Sequence, residues 1–220
     1  MSKKIIFLIS STFVTCATLA FIEHGLTINY TIKTISKISL FFLNIWLYSK
    51  LFQGFRFTDV LSMKKLSRRD WLHLLLLGTL SAGIVLFAYL MLQPFFDIRE
   101  IKHDLTNRLG ITATGFIFVG IYVTLINSLL EEYFFRGFIF FQLPRKLGYI
   151  ISPLLFASYH IPMIALWFNK FLIAACFIGL WLIAIIFHKV NEKNKTIWFS
   201  WIIHICADIM IIIIGMTLFF

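Results

Sequence analysis

Charge is scarce in this sequence. Only 14% of the 220 residues are charged, against about 25% in soluble globular domains. A chain with so little charge has too few polar side chains to cover a water-facing surface, which excludes an ordinary soluble enzyme. Cysteine is also rare. Cys16, Cys176 and Cys206 fall in apolar runs at no spacing used by zinc or redox motifs, so all three read as packing residues. There is no internal repeat, no low-complexity linker and no polar stretch long enough for a soluble domain. A small-residue cleavage site of the A-x-A kind is missing after the first apolar run, which extends to Ile22. Lys3 and Lys4 ahead of that run resemble the start of a signal peptide, but a retained first helix is the expectation.

What the chain has instead is hydrocarbon. Sixty per cent of its residues are hydrophobic, 26 are Phe, and the mean hydropathy is +0.90, far above the roughly 45–50% apolar usage of soluble domains. A bilayer core about 30 Å thick needs about 20 helical residues. Apolar runs of that order lie near 5–22, 38–55, 71–93, 115–141, 149–168, 171–187 and 197–219. The expected fold is therefore all-α, a polytopic integral membrane protein of about seven transmembrane helices. Pro153 and Pro162 are tolerable inside such helices, where neighbours re-satisfy freed carbonyls. Two polar breaks, 56–70 and 94–110, have room for short interfacial helices. The chain divides loosely into N-terminal helices with interfacial loops, 1–110, and a C-terminal four-helix core, 111–220, where ionisable residues without polar surroundings cluster.

The formal charge of +10 raises the question of nucleic acid, and its distribution answers against it. With seven spans, one side receives Lys3, Lys4, Arg56, Lys64, Lys65, Arg68, Arg69, Arg145, Lys146, Lys189, Lys193 and Lys195. The other receives only Lys33, Lys37, Arg99, Lys102, Arg108 and Lys170. Twelve against six follows the positive-inside rule and predicts a cytoplasmic N-terminus. The basic loop RFTDVLSMKKLSRRD suits anionic lipid headgroups. Membrane lipid is thus an expected partner, and nucleic acid is not. A composition rich in Ile, Phe and Lys suggests a bacterial chain, and with it the inner (plasma) membrane.

Seven of the ten acidic residues sit in loops or near span ends. Glu131, Glu132 and Asp208 do not, and His160 and His204 are likewise mid-span. A charge at the bilayer centre costs roughly 2.5–3.5 kcal/mol on insertion scales, so such residues face a protein interior and often mark function. In LLEEYFFRG, Glu132 and Arg136 are one helical turn apart and can pair. Glu131 is rotated by about 100° from Glu132 and points elsewhere. In FASYH, Phe156 and His160 share a face, so the ring can limit rotation of the imidazole. In HICAD, His204 and Asp208 share a face, and a carboxylate one turn from an imidazole can orient it or join it on a metal. The stretch 111–143 is apolar apart from its motif, and Pro144 is its first clear breaker. A helix there spans about 50 Å, long enough to slide or tilt until the glutamates stand level with the histidines.

Peptide hydrolysis needs an activated water, a base with a pKa near working pH, and stabilisation of a tetrahedral oxyanion. A buried Glu with two His can supply these. Two His and a carboxylate also satisfy a catalytic zinc with an open position. Spacing leaves both open, with Glu131, His160, His204 and Asp208 as the ligands if a metal is present.

EEYFFRG, FASYH and HICAD, in this order on successive late helices, resemble the motifs E-E-x-x-x-R, F-x-x-x-H and H-x-x-x-N/D of the CPBP family. That family comprises type II CAAX prenyl proteases and related bacterial membrane proteins, some linked to bacteriocin self-immunity. The likeness covers roughly residues 115–215. It implies an intramembrane endopeptidase acting on a peptide or protein substrate. Glu131 would be the base that activates water and His160 its assistant, with His204 and Asp208 binding the oxyanion or the water. Glu132, Arg136 and Phe156 would brace the site. Many relatives carry Asn where this chain has Asp208, and an ionised Asp offers no N–H donor. Asp208 must then be protonated, bind a metal or orient His204.

Plainer readings stand beside these. Glu132 and Arg136 can be a packing ion pair, and His160 can be a structural histidine bonded to the carbonyl one turn back. His204 and Asp208 can be a polar pair holding helices together. His73 snorkels to the interface, and His24, His103 and His188 are loop residues. Gly78, Gly83, Gly115 and Gly120 permit close helix approach. The alternative function is a non-catalytic immunity or binding protein using the same pocket; a proton-coupled transporter is disfavoured, since no repeat or pair of broken helices appears.

Overall fold

A computed structural model describes residues 2–52, 55, 58–62 and 66–220. Arg56, Lys64 and Lys65, counted above towards orientation, lie outside the described residues. The long elements are α1 (Lys3–Gly25), α2 (Tyr30–Leu51), α3 (Arg68–Leu92), α5 (Ala113–Phe140), α6 (Arg145–Ile164), α7 (Lys170–Glu192) and α8 (Trp198–Phe219), with a short α4 (Ile98–His103) before α5. No strand occurs among the described residues. The polar breaks hold small helical pieces as expected: a 3-10 turn at Asp59–Leu61, then α4 running into a π turn at Asp104–Arg108.

Local chemistry sets the helix ends. Side chains of Asn29, Thr112 and Asn169 accept from backbone N–H groups in the first turns of α2, α5 and α7, meeting donors that a helix N-terminus cannot satisfy internally. Ser67 and Asp70 form a reciprocal capping box on α3. Pro144, the expected breaker, stands immediately before α6.

Six of these helices are long and apolar enough to cross a membrane. The seventh, α2, is 22 residues long but carries Lys33, Lys37 and Lys50. It begins well before the expected position 38, because the Asn29 cap starts it early and Lys33 pairs with Glu23 at 2.8 Å. Lys37 is consequently not in a loop but inside α2. His188 also departs from expectation. It lies in α7, fully buried against the Phe140 ring, 4.0 Å between centroids. Beyond the apolar run, α7 continues because Asn191 bonds Ser200 and Glu192 pairs with Arg145 and Tyr149.

The molecule is apolar outside and polar within. Phe13, Leu75, Phe87, Phe118 and Phe171 are 64–69% exposed, while Glu131, Glu132, Arg136, Asn191 and Ser200 are buried. In water this would be an error; against acyl chains it is the stable arrangement. The main core joins both halves of the chain, with Leu8, Phe41, Ile45 and Tyr48 packed among Phe134, Phe135, Phe138, Phe156 and Ala184. Phe41 stacks on Phe134 at 4.0 Å. Helix α3 lies along α8, α6 along α7, and α1 against α6 and α2.

At the end of the bundle holding the α1–α2 turn, charge and hydrogen bonds clamp four segments, with Lys33 of α2 on Glu23 of α1 as one link. Arg108 bridges Glu23 (2.9 Å) and Asp104 (2.8 Å), and Trp167 Nε1 donates to Asp104 at 2.9 Å. Partial burial pushes the Asp104 carboxyl up, but the bonds from Arg108 and Trp167 outweigh it and hold it below its usual range. A carboxyl so depressed adds stability above its unfolded pKa, and that contribution is lost on acidification.

Two of the four glycines act as expected. A Cβ on Gly78 would sit 2.7 Å from Cys206 Sγ on α8, and one on Gly120 would sit 2.9 Å from Ile212. Gly83 faces open space, and Gly115 meets only the hydroxyl of its own cap, Thr112. Gly78→Ala is expected to lower stability by about 1–3 kcal/mol through overpacking, while Gly83→Ala leaves it unchanged or raised. Thermal unfolding in detergent checks this; equal melting of the two variants would contradict the packing of α3 on α8.

Candidate active site

The site is built on α5, whose middle is not a regular α-helix. Two π-helical stretches, Tyr122–Asn127 and Glu132–Phe140, flank a single α turn, Ser128–Glu131. Such widened turns recur at functional sites. Glu131 ends the α turn and Glu132 begins the π stretch, so the two carboxylates diverge into separate sets of partners.

Glu131 is 3% exposed. Its Oε1 accepts from Asn127 Nδ2 at 2.9 Å and from the Tyr159 hydroxyl at 3.3 Å. Lys37 Nζ approaches the same oxygen at 3.7 Å and donates to Asn127 Oδ1. Unit charges about 4 Å apart attract by about 4 kcal/mol at an effective dielectric constant of about 20. The other oxygen, Oε2, faces His160 Nε2 at 3.6 Å. The Nδ1 of His160 is 2.8 Å from the Phe156 carbonyl, the bond to the turn below that the plainer reading proposed. That bond does not remove His160 from the site; it fixes the ring with Nε2 toward Glu131.

Glu132 is fully buried and does more than pair with Arg136. Its Oε1 lies 3.2 Å from Arg136 Nη1 and 2.9 Å from His204 Nδ1, and Ser200 donates to Oε2. The Arg136 guanidinium lies over the Phe156 ring at 4.0 Å and the Phe187 ring at 5.0 Å, a cation–π sandwich suited to a dry site. Among the described residues none of its nitrogens has a well-aligned hydrogen bond, so the charge of Glu132 and the two rings hold it. Phe156 also packs on His160 at 4.6 Å and lies 6.2 Å from His204. One ring thus touches both imidazoles and the arginine.

His204 Nε2 faces Asp208 Oδ1 at 3.7 Å, too long for a hydrogen bond, and Asp208 Oδ2 is buried without a partner among the described residues. The expected residues therefore assemble as two linked sets: Glu131 with His160, and Glu132 with Arg136, His204 and Asp208. No group of three or more His, Cys, Asp or Glu side chains among the described residues converges to hold a metal ion. Glu131 faces His160 in one set and Asp208 faces His204 in the other.

Asn127, Tyr159, Ser200 and Lys37 were not singled out from the sequence. Asn127 stands one turn before Glu131, the same spacing that flagged Glu132 and Arg136, and was legible by that rule. Ser200 stands likewise one turn before His204. Tyr159 and Lys37 reach Glu131 only through tertiary packing.

Fold and site define an integral membrane protein with a buried carboxylate–imidazole centre. Residues 112–210 match a family model described as type II CAAX prenyl endopeptidase Rce1-like. The matched stretch is just under half of the chain, and the match supports the CPBP resemblance to which its three motifs pointed. No curated protein and no solved structure matches it significantly.

Removing Arg136 would strand the Glu132 charge. Breaking a buried pair costs about 3–5 kcal/mol, so Arg136→Met is expected to destabilise by about that amount, and the added change Glu132→Gln to recover part of it. Melting of the three variants decides; a double variant no more stable than Arg136→Met would contradict the pairing.

Proposed function

We propose that this protein is an intramembrane endopeptidase that hydrolyses a peptide bond with a water activated between Glu131 and His160. The reading rests on the 3.6 Å approach of Glu131 Oε2 to His160 Nε2, with the other oxygen of Glu131 already occupied. With Nδ1–H donating to Phe156, the neutral imidazole presents a lone pair at Nε2. A carboxylate oxygen and a nitrogen lone pair facing each other at that distance need hydrogen between them. One water donating to both meets the need and leaves its own lone pairs for attack.

Glu131 then takes a proton from this water as its oxygen bonds to the scissile carbonyl carbon. The tetrahedral intermediate carries an oxyanion; His204, with its Nδ1–H given to Glu132, donates to it from Nε2 as the imidazolium, the form that the neighbouring Glu132 and Asp208 favour. Asp208 Oδ1 faces the same nitrogen at 3.7 Å and helps to orient the ring. Glu131 returns its proton to the leaving nitrogen as the C–N bond breaks. Glu132, Arg136 and Phe156 brace both imidazoles. No step runs through a metal. The segment 111–220 is the catalytic core, the substrate is a peptide or protein reached from the membrane, and the N-terminus faces the cytoplasm of a bacterial inner membrane.

The purified protein in proteoliposomes, incubated with a peptide library, should cleave some members. Glu131→Gln and His160→Ala should each lose about 10²–10⁴-fold in turnover, the usual contribution of a positioned base, with the elution of folded protein preserved. Turnover near wild type in either variant would remove the assignment. Bacteriocin protection that survives Glu131→Gln in cells would favour the binding reading instead.

A further inference from the structure

We infer that α2 supplies a positioning residue to this site, Lys37, whose ammonium holds the Glu131 carboxylate so that Oε2 alone faces His160. The inference rests on the peptidase reading of Glu131 and adds a part of the machine that lies outside the family-matched residues 112–210.

Lysine is an expensive residue to place here. Lys37 sits in the second turn of α2, and its side chain is 17% exposed. Lys33, one turn earlier, reaches Glu23 in the clamp at the bundle end. Lys37 turns inward instead, donating to Asn127 Oδ1, lying 3.7 Å from Glu131 Oε1, and standing 5.9 Å over the Tyr159 ring. Asn127 links the two charges, because its amide accepts from Lys37 through Oδ1 and donates to Glu131 through Nδ2. This orientation of the amide is the one that satisfies both partners at once. A Met at position 37 would leave Asn127 Oδ1 without its donor and Glu131 without a neighbouring cation.

The consequence is asymmetry within one carboxylate. Asn127, Tyr159 and Lys37 all converge on Oε1. With that oxygen occupied three times, the carboxylate cannot rotate without losing all three contacts, and Oε2 is left as the oxygen open to reacting groups. Lys37 itself touches Glu131 and Asn127, not the reacting atoms, and acts through them. Phe41, one turn further along α2, stacks on Phe134 and packs against Tyr159 at 5.9 Å. Those ring contacts fix the height of α2 against α5 and so deliver the ammonium to the carboxylate.

Two measurements test this. In kinetics, Lys37→Met should lower kcat by about 30-fold or more with KM changed less than about threefold, and Lys37→Arg, which keeps the cation, should recover most of the loss. In melting, Lys37→Met and Glu131→Gln should be non-additive, the double variant losing clearly less than the two single losses combined, because the double change removes both charges together. Additive losses overturn the inference, whether or not the protein cleaves peptides. A Lys37→Met enzyme with unchanged kcat overturns it too. Non-additive melting in a protein that cleaves nothing would leave the Lys37–Glu131 pair standing and remove the peptidase reading alone.

Discussion

Two consecutive carboxylates buried at hydrocarbon depth constrain everything else in this bundle. Neighbours on a helix point about 100° apart, so Glu131 and Glu132 cannot share partners, and each needs its own set. Glu132 takes Arg136 from its own helix and Ser200 and His204 from α8. Glu131 takes Asn127 from its own helix, Tyr159 and His160 from α6, and Lys37 from α2. Satisfying two adjacent acids therefore recruits four helices, and the π turns on either side of Glu131 are where α5 departs from regular geometry to allow it.

The surrounding architecture follows from the same need. Polar side chains point inward, and large apolar ones face outward in numbers that only lipid would tolerate. Phe156 is where packing and electrostatics meet, one ring against His160, the Arg136 guanidinium and the edge of the His204 environment. A guanidinium held by rings and one carboxylate, without well-aligned hydrogen bonds among the described residues, is an unusual way to keep a charge in the interior. It also gives Phe156 a clearer reason for being aromatic than ring packing on His160 alone.

The helical plan was legible because apolar length is a strong signal: each expected span corresponds to a long helix. The ends of α2 and α7 were not, since caps and ion pairs such as Asn29, Glu23–Lys33 and Arg145–Glu192 let helices run past their apolar stretch. Spacing by one turn exposed Glu132–Arg136, Phe156–His160 and His204–Asp208, and the structure brings their side chains to one place. It said less about which carboxylate meets which imidazole. Glu132 was read as tied to arginine, yet it also holds His204, because the next helix in space is invisible to periodicity. Lys37 was read as a loop cation for the same reason, and His188 as a loop residue although it is fully buried. Metal binding was open from residue types, and among the described residues no three such side chains converge.

In the proposed hydrolase one carboxylate is fixed on a single oxygen and presents the other, while the second carboxylate orients the opposing imidazole. The central claim is that Glu131 works on water and not on the substrate directly. It is tested by a single turnover in H₂¹⁸O with enzyme in excess over a cleavable peptide, followed by mass spectrometry of product and protein. Direct attack by water predicts one ¹⁸O atom in the new carboxylate of the product and none in the side chain of residue 131. Label appearing in that side chain would mean a covalent acyl intermediate on Glu131 and would contradict the account.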